Sequence, residues 1–281
     1  MVLAPDARTP PLAGQRPAVL GILNTTPDSF SDGGLYDDRD AAVAHGLRLT
    51  CAGADIIDVG GESTRPGAAR VPEEVELARV VPVIEDLVSA GVRVSIDTTR
   101  AHVAAAAVSV GACMINDISG GLADREMAAV ARAAQVPFVA MHWRGHSDRM
   151  QQAARYGDVV AEVVEELRGR REALLECGIA PERIVLDPGI GFAKRSEHSW
   201  ALLAALPRFA ELGAPLMVGV SRKSLLDELS DEDQRLSGPD RDVATAVLSG
   251  LLLRCTSYVR VHDVHATVLA LRVAEKLRAD R

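Results

Sequence analysis

Polar and charged side chains follow short apolar runs at eight places along the chain. Each run is rich in Val, Ile and Leu, which is typical of a buried strand. The residues at or just after the ends of these runs include Asn24, Asp58, Asp97, Asn116, His142, Asp187, Lys223 and Arg260. One such residue can be a satisfied cap, but burying each polar group without a partner costs about 1–3 kcal/mol. We therefore expect these side chains to meet a ligand, a metal or one another.

The candidate residues fall into two chemical groups. One group supplies paired donors and acceptors, which suit a flat heterocycle with several ring nitrogens and an exocyclic amine. It comprises Asp97, Asn116, Asp187 and Lys223. The other group supplies positive charge, hydroxyls and close approach to the main chain, which an anion needs. It comprises Arg260, His262, Asn24, Thr64 and the Gly60–Gly61 main chain.

The same apolar runs alternate with stretches of helical spacing, and this alternation predicts the fold. The predicted strands are Val19–Leu23, Asp55–Val59, Val92–Ile96, Cys113–Asn116, Phe138–Met141, Ile184–Leu186, Leu216–Val220 and Tyr258–Val261. The predicted helices are Asp40–Ala52, Glu73–Ala90, Ala101–Val110, Arg125–Ala134, Asp158–Glu176, Ser199–Leu212, Val243–Arg254 and His265–Asp280. Eight repeats favour an α/β fold with a single (β/α)8 TIM barrel, and a doubly wound open sheet is the alternative. In a barrel the strand ends share one mouth, where the loops carry the chemistry.

Two polar stretches fall outside this pattern. Residues 1–17 contain four prolines and no long apolar run, which predicts a flexible tail ahead of one barrel domain at 18–281. The segment Glu228–Arg241 is polar enough to predict a mobile excursion from the barrel.

The composition indicates which cellular compartment and which classes of partner to expect. The formal net charge of −8 disfavours nucleic acid as the main partner. The sequence shows neither a signal peptide nor a run long enough for a membrane span. Four widely spaced cysteines without a Cys-x-x-Cys pair indicate reduced thiols. We expect a cytoplasmic protein.

Four segments, taken in order, resemble the signatures of the dihydropteroate synthase family. They are Leu23–Gly34, Asp58–Gly67, Ser221–Ser224 and Arg260–Asp263. The resemblance covers nearly the whole chain after the tail and implies the same barrel. It also implies a transferase that condenses 6-hydroxymethyl-7,8-dihydropterin diphosphate with 4-aminobenzoate in folate biosynthesis, and a target of sulfonamides.

The resemblance also implies roles for individual residues. For the pterin diphosphate it implies Thr64, Asp97, Asn116, Asp187, Lys223, Arg260, Val261 and His262. For 4-aminobenzoate it implies Phe30, Arg65, Pro66 and Ser224. Catalytic roles fall to Asp28, Lys223, Arg260 and His262, and Mg2+ is expected at Asn24 with the departing phosphates. No nucleophilic side chain is required, because an arylamine attacks with little activation.

Two alternatives and a question of assembly stay open at this point. Corrinoid-dependent methyltransferases share the fold and the pterin site, but they have no need of Ser63–Pro66 or Ser221–Ser224. A paralogue that binds pterin without turnover is the second alternative. The apolar residues around the last two helices indicate either packing on the barrel or the homodimer that the resemblance implies. They include Val247, Leu248, Leu251, Leu252, Val268, Leu269 and Leu271.

Overall fold

An eight-stranded parallel sheet forms the centre of the molecule. The computed structural model describes residues 16–25, 35–62, 70–145, 153–230 and 235–279. The strands are β1 Ala18–Asn24, β2 Ile56–Gly60, β3 Val94–Asp97, β4 Met114–Asp117, β5 Phe138–Met141, β6 Ile184–Asp187, β7 Met217–Val218 and β8 Tyr258–Val261. They pair in the order β6-β5-β4-β3-β2-β1-β8-β7, and a parallel bridge between Leu186 and Leu216 joins the two outer strands. The sheet therefore closes, which confirms the barrel and excludes the open sheet.

Helices surround the barrel. Those in the described part of the chain are α1 Leu35–Cys51, α2 Glu73–Ser89, α3 Ala101–Ser109, α4 Met127–Ala134, α5 Val159–Glu176, α6 Ser196–Ala204, α7 Leu206–Ala210, α8 Gly238–Leu251 and α9 Val264–Ala279. None of them combines the length and the apolar character that a bilayer crossing requires. The helix predicted at Ser199–Leu212 is in fact two helices, α6 and α7. Pro207 lies in the first turn of α7, where a proline is tolerated, whereas in one continuous helix it would remove a hydrogen bond to Leu203 and crowd the carbonyl of that residue.

The prediction of a polar excursion at Glu228–Arg241 is wrong for its last four residues. They form the first turn of α8, which the side chain of Ser237 caps by accepting a hydrogen bond from the main-chain N–H of Asp240 at 3.2 Å. Arg241 in that turn forms an ion pair with Asp227 at 2.6 Å. The cap and the ion pair therefore fix the start of α8. Residues 231–234 lie outside the described part of the chain.

Two apolar layers hold the barrel together. The larger one lies between the strands and the helices. The smaller one fills the inside of the barrel and is here called the plug. The plug comprises Leu20, Ile56, Met114, Val139, Val185, Met217 and Tyr258, one residue from each of seven strands. Since a filled barrel of this kind is a packed core and not a pore, ligands must approach from a mouth.

The predicted tail is described only at its last two residues, Arg16 and Pro17. Arg16 binds Asp55 through two nitrogen–oxygen contacts of 2.7 and 2.9 Å. The same carboxylate accepts the main-chain N–H of Val19 at 2.8 Å. Arg16 is therefore attached to the amino-terminal edge of the barrel, and the rest of the predicted tail lies outside the described residues.

Candidate active site

A charged layer lies directly above the plug. It comprises Asp58, Asn116, Asp187 and Arg260, each two residues after a member of the plug on its strand. Because side chains alternate along a strand with a period of two, these four face the same barrel interior, one layer nearer the carboxyl ends of the strands. Asp97 joins them, since it ends β3 and is in register with Asn116. The alternation that builds the plug therefore also gathers four of the predicted polar strand ends.

Arg260 connects the acids of this layer. Its Nε donates to Oδ2 of Asp58 at 2.6 Å, and its Nη2 donates to Oδ2 of Asp97 at 2.7 Å. Asn116 donates from Nδ2 to the same Asp58 oxygen at 3.0 Å. The other oxygen of Asp58, Oδ1, has no hydrogen-bond partner within the part of the chain that the structure describes. An anion bound here would have to use the guanidinium N–H groups that the two carboxylates leave.

Burial shifts the pKa values of three groups at this mouth, Asp97, Asp187 and Lys223, toward neutrality. It raises the pKa of Asp97 to about 7, against the opposing charge of Arg260. Burial also raises the pKa of Asp187, and the charge of Lys223 opposes that shift. The pKa of Lys223 is lowered to about 8 by burial, with Asp187 acting in the opposite direction. Groups that titrate in this range are typical of functional sites.

The turn after β6 brings Lys223 to Asp187. One oxygen of Asp187 accepts the main-chain N–H of Gly189 at 2.7 Å. Lys223 donates to the carbonyl of Ile190, and its Nζ lies 4.5 Å from the centroid of the Phe192 ring. Gly191 has a φ of 79°, and a Cβ there would lie 3.0 Å from Cδ of Lys223. A glycine at 191 therefore allows the lysine stem to lie against the turn.

His262 lies at the end of β8 and is fixed by Ser221. Oγ of Ser221 accepts the main-chain N–H of His262 at 3.1 Å and lies 2.8 Å from Nδ1 of its ring. The hydroxyl donates to Nδ1 in one tautomer of the neutral ring and accepts from Nδ1 in the other. Val261, between Arg260 and His262, packs into the outer core. Any contact of Val261 with substrate would therefore come from its main chain.

The remaining predicted residues divide into those at the rim and those not described. Asn24 ends β1 opposite Gly60 and is half-buried. Ser224 is exposed and begins a 3-10 helix that runs to Leu229. The predicted Asp28, Phe30, Thr64, Arg65 and Pro66 lie in 26–34 and 63–69, outside the described residues.

An ion network around the buried carboxylate of Glu76, which the sequence analysis did not anticipate, lies beside the second of those segments. Arg100 donates to the carboxylates of Glu62 and Glu76 and to the carbonyl of Val71. Thr98 donates to the other oxygen of Glu76 at 2.6 Å. The network ties the chain on both sides of 63–69 to the ends of β3 and α2. No local pattern announces it, because its members are distant in sequence.

Lys194 was missed beside the site, and so was its hydrogen bond with His142. Nζ of Lys194 lies 3.0 Å from Nδ1 of His142, and both side chains are buried. A signal for Lys194 existed in the composition. Only three of the 31 basic residues are lysines, and two of the three, Lys194 and Lys223, follow β6 and β7.

Known proteins are similar to this chain in sequence and in fold. The chain matches the Pterin binding enzyme family over residues 20–262. It is 49% identical over 276 residues to dihydropteroate synthase of Mycobacterium leprae, covering 93% of this chain and 97% of the relative. The structure of Xanthomonas albilineans dihydropteroate synthase with 4-aminobenzoic acid superposes with a TM-score of 0.85 at 46% identity, covering 94% of both chains. The same enzyme in complex with 7,8-dihydropteroate gives 0.83 at 43%, covering 95% of this chain and 96% of the other.

The chain belongs to the dihydropteroate synthase family. The resemblance stated from four sequence segments is thereby confirmed, as are the transferase class and the pterin-binding character of the fold. Relatives of this identity and coverage also decide against the methyltransferase alternative. The roles of individual residues, the metal and the assembly stay predictions. They are taken up next.

Proposed function

We propose that the chain condenses 6-hydroxymethyl-7,8-dihydropterin diphosphate with 4-aminobenzoate, giving 7,8-dihydropteroate and diphosphate. The observation that carries the proposal is the charged layer at one barrel mouth, in a chain of the dihydropteroate synthase family. The complex of the Xanthomonas albilineans relative with 7,8-dihydropteroate supports it.

The pterin ring would lie over the plug, with its nitrogen-rich edges toward the charged layer. The carboxylates of Asp97 and Asp187 accept N–H groups of the ring and its exocyclic amine. Lys223 and Asn116 donate to its carbonyl and ring nitrogens. Arg260 holds Asp97 in place through the 2.7 Å ion pair, so the acceptor is set before the ligand arrives. A preset donor and acceptor pattern distinguishes a pterin from other flat rings.

The reaction breaks one bond and forms another at the pterin methylene. The electrons of the C–O bond leave with diphosphate, and the positive charge spreads into the ring. Arg260 and the ring of His262 would stabilise the leaving charge. The arylamine nitrogen then bonds to the methylene carbon and loses one proton. Lys223 would contact the ring at this stage, and the carboxylate of Asp28 would stabilise the developing cation.

The aminobenzoate half is proposed from the family resemblance. Phe30, Arg65 and Pro66 would enclose the aromatic ring and its carboxylate, and Ser224 would face it. The exposed position of Ser224 at the rim supports this assignment. The Arg100 network supports it as well, because it ties the chain on both sides of Arg65 to the barrel.

Mg2+ fits the donors that are present. Among the described residues, no group of three or more His, Cys, Asp or Glu could hold a metal. Mg2+ commonly keeps several waters and takes one or two protein oxygens together with substrate phosphates. The amide oxygen of Asn24, at the end of β1 facing the mouth, would hold it. When bound, Mg2+ supplies neutralising charge to the diphosphate.

We also propose a homodimer through one exposed apolar stripe, defined as Val243, Val247 and Leu251 on α8 with Leu269, Val273 and Leu277 on α9. All six are exposed, and each set has a spacing of four. Val268 and Leu271 are buried against the core and Leu248 and Leu252 pack partly against it, so packing on the barrel accounts for these four only.

Light scattering that measures the molar mass of the purified protein tests the dimer. Leu251, which is 75% exposed, is changed to Glu, and Leu47, an apolar residue on α1 that is 37% exposed, is changed to Glu as a control. We expect a monomer from the first variant and a dimer from the second. A wild-type protein of monomeric mass would overturn the proposal.

Cytoplasmic location belongs to the same set of proposals, and cell fractionation would test it.

The function itself is tested by omission. Purified protein is assayed for diphosphate release and dihydropteroate formation with Mg2+, the dihydropterin diphosphate and 4-aminobenzoate, leaving out each in turn. Turnover that needs all of them supports the proposal. Saturable pterin binding without product would instead support the paralogue that binds and does not turn over.

A further inference from the structure

Lysine is rare in this chain, and its positions are informative. The three lysines are Lys194, Lys223 and Lys276, against 31 basic residues in all. Arginine stays charged in almost any surroundings, whereas the compact lysine amine can be buried and can lose its proton. Lys194 is 3% exposed, and like Lys223 it lies against the turn that follows β6. The family's pterin chemistry, as proposed above, uses Lys223 and leaves Lys194 without a role.

The turn after β6 is held at three of its carbonyl groups. Lys223 donates to Ile190, Lys194 donates to Phe192 at 2.9 Å, and the hydroxyl of Tyr156 donates to Ala193 at 3.1 Å. Ala193 has a φ of 49°, a conformation that a residue with a Cβ adopts only when its surroundings fix it. This turn begins at Asp187, so its shape determines where that carboxylate points.

A hydrogen-bonded chain extends from Lys194 to the surface. Nε2 of His142 lies 2.9 Å from Oε2 of Glu166, and Arg144 also binds that carboxylate. The hydrogen bond from His142 lowers the pKa of Glu166 to about 2, so this group accepts and the imidazole proton is on Nε2. Burial lowers the pKa of His142 to about 4, which keeps the ring neutral. Nδ1 is therefore an acceptor, and Lys194 donates to it at 3.0 Å.

The donors of Lys194 match its acceptors. A neutral amine has two N–H groups, and the Phe192 carbonyl and His142 Nδ1 are two acceptors. Burial lowers the pKa of Lys194 to about 7, and the charge of Asp187 acts against that shift. The charged and titratable groups around Lys194 are Asp187, Lys223, Arg144, Glu166, His142, Tyr156 and His198. When protonated, Lys223 and Lys194 both favour the ionised form of Asp187.

We propose that Lys194 is a positioning residue for the pterin half of the site, which holds the turn after β6 through the Phe192 carbonyl and His142. It thereby sets the carboxylate of Asp187 and the amine of Lys223 for the ring. The proposal rests on the function proposed above. It assigns Lys194 no contact with substrate, and it makes Glu166, at the surface, part of the same support.

The first test compares Lys194→Met with Lys276→Met, an exposed lysine on α9, in the full-length protein. Calorimetry measures the dissociation constant of the dihydropterin diphosphate, and kinetics measures KM for 4-aminobenzoate and kcat. For Lys194→Met we expect pterin binding at least tenfold weaker and KM for 4-aminobenzoate within twofold of wild type. A general loss of structure would instead change both constants together and lower the melting temperature. Pterin binding within twofold of wild type would overturn the proposal.

The second test leaves Lys194 in place, so it decides the matter even if Lys194→Met does not fold. Glu166→Gln replaces the carboxylate that fixes the His142 tautomer, and Glu162→Gln changes the other carboxylate that binds Arg144 without touching His142. We expect several-fold weaker pterin binding for the first variant and no change for the second. Equal effects would overturn the proposal. A wild-type protein that binds no pterin would sink the proposed function as well, so the two failures are distinguishable.

Discussion

Replacement of Gly189 by alanine would introduce a methyl group where the turn after β6 has no room for one. A Cβ on Gly189 would lie 2.7 Å from the carbonyl oxygen of His142. This oxygen cannot easily move, because the main-chain N–H of the same residue donates to the carbonyl of Asp187 at 2.8 Å. Gly189 also has a φ of 69°, which an alanine tolerates poorly.

Gly213 separates these two effects. It has the same φ of 69°, but nothing lies within 4 Å of a Cβ built there. The left-handed conformation should cost each alanine variant roughly 1 kcal/mol in the free energy of unfolding. Gly189→Ala should lose a further 1–3 kcal/mol or so from overpacking against a fixed carbonyl. We therefore expect about 1 kcal/mol for Gly213→Ala and about 2–4 kcal/mol for Gly189→Ala.

Urea unfolding of both variants beside wild type measures these losses, with the midpoint taken at an unchanged slope. Titration with the dihydropterin diphosphate adds a second readout. Because the methyl group at 189 pushes on the turn that carries Asp187, pterin binding should weaken for Gly189→Ala and not for Gly213→Ala. If the two free energies agree within about half a kcal/mol, the claim that the turn is rigid is refuted.

Three further predictions follow from the site and from α5. Asp187→Asn should weaken pterin binding far more than 4-aminobenzoate binding, because it replaces one acceptor oxygen with a donor; equal losses in the two dissociation constants would contradict it. Pterin affinity should be greatest between about pH 7 and about pH 8. Asp97 takes up a proton as the pH falls through its raised pKa, and Lys223 loses one as the pH rises through its lowered pKa. Calorimetry from pH 5.5 to 9.5 would show a flat profile if the assignment is wrong. Asp158→Ala should lower the free energy of unfolding by about 1 kcal/mol and leave pterin affinity unchanged. The change removes only the helix cap that accepts the N–H groups of Val160 and Ala161. A change in the dissociation constant for the pterin would instead link α5 to the site.

The barrel was predictable because the sequence is consistent at each level. All eight predicted strands are present, within a few residues at each end. The helix α1 begins at Leu35, five residues before its predicted start. Two other errors at helix boundaries had local causes that were already visible. Pro207 divides one predicted helix, and the sequence Ser237-Gly238-Pro239 is a capping signal that starts α8 earlier than its apolar pattern does.

The charged layer was predictable as a set of strand-end residues but not as a set of partners. Strand ends meet at one mouth in a barrel, so Asp97 and Asp187 could be expected near each other. The ion pairs of Arg260 join residues 202 and 163 positions apart, and no pattern in one sequence gives that pairing. The sequence indicated an anion site at Arg260, whereas the structure places its guanidinium on two carboxylates. The hydrogen bond between Lys194 and His142, 52 positions apart, was missed for the same reason.

The pKa shifts around the mouth have one cause, and it links the site to stability. Burial raises the pKa of Asp97 and lowers that of Lys223, so in both residues the charged form is less stable here than in water. For Asp97 this lowers the stability of the free protein as the pH rises from about 4 to about 7, since the unfolded carboxyl gives up its proton first. For Lys223 the penalty is present below pH 8 and disappears toward pH 10.5, where the unfolded amine also becomes neutral. A ring that donates to the carboxylate and accepts from the amine stabilises both charged forms. Pterin binding should therefore stabilise the barrel most near neutral pH, where these two groups destabilise the free protein most.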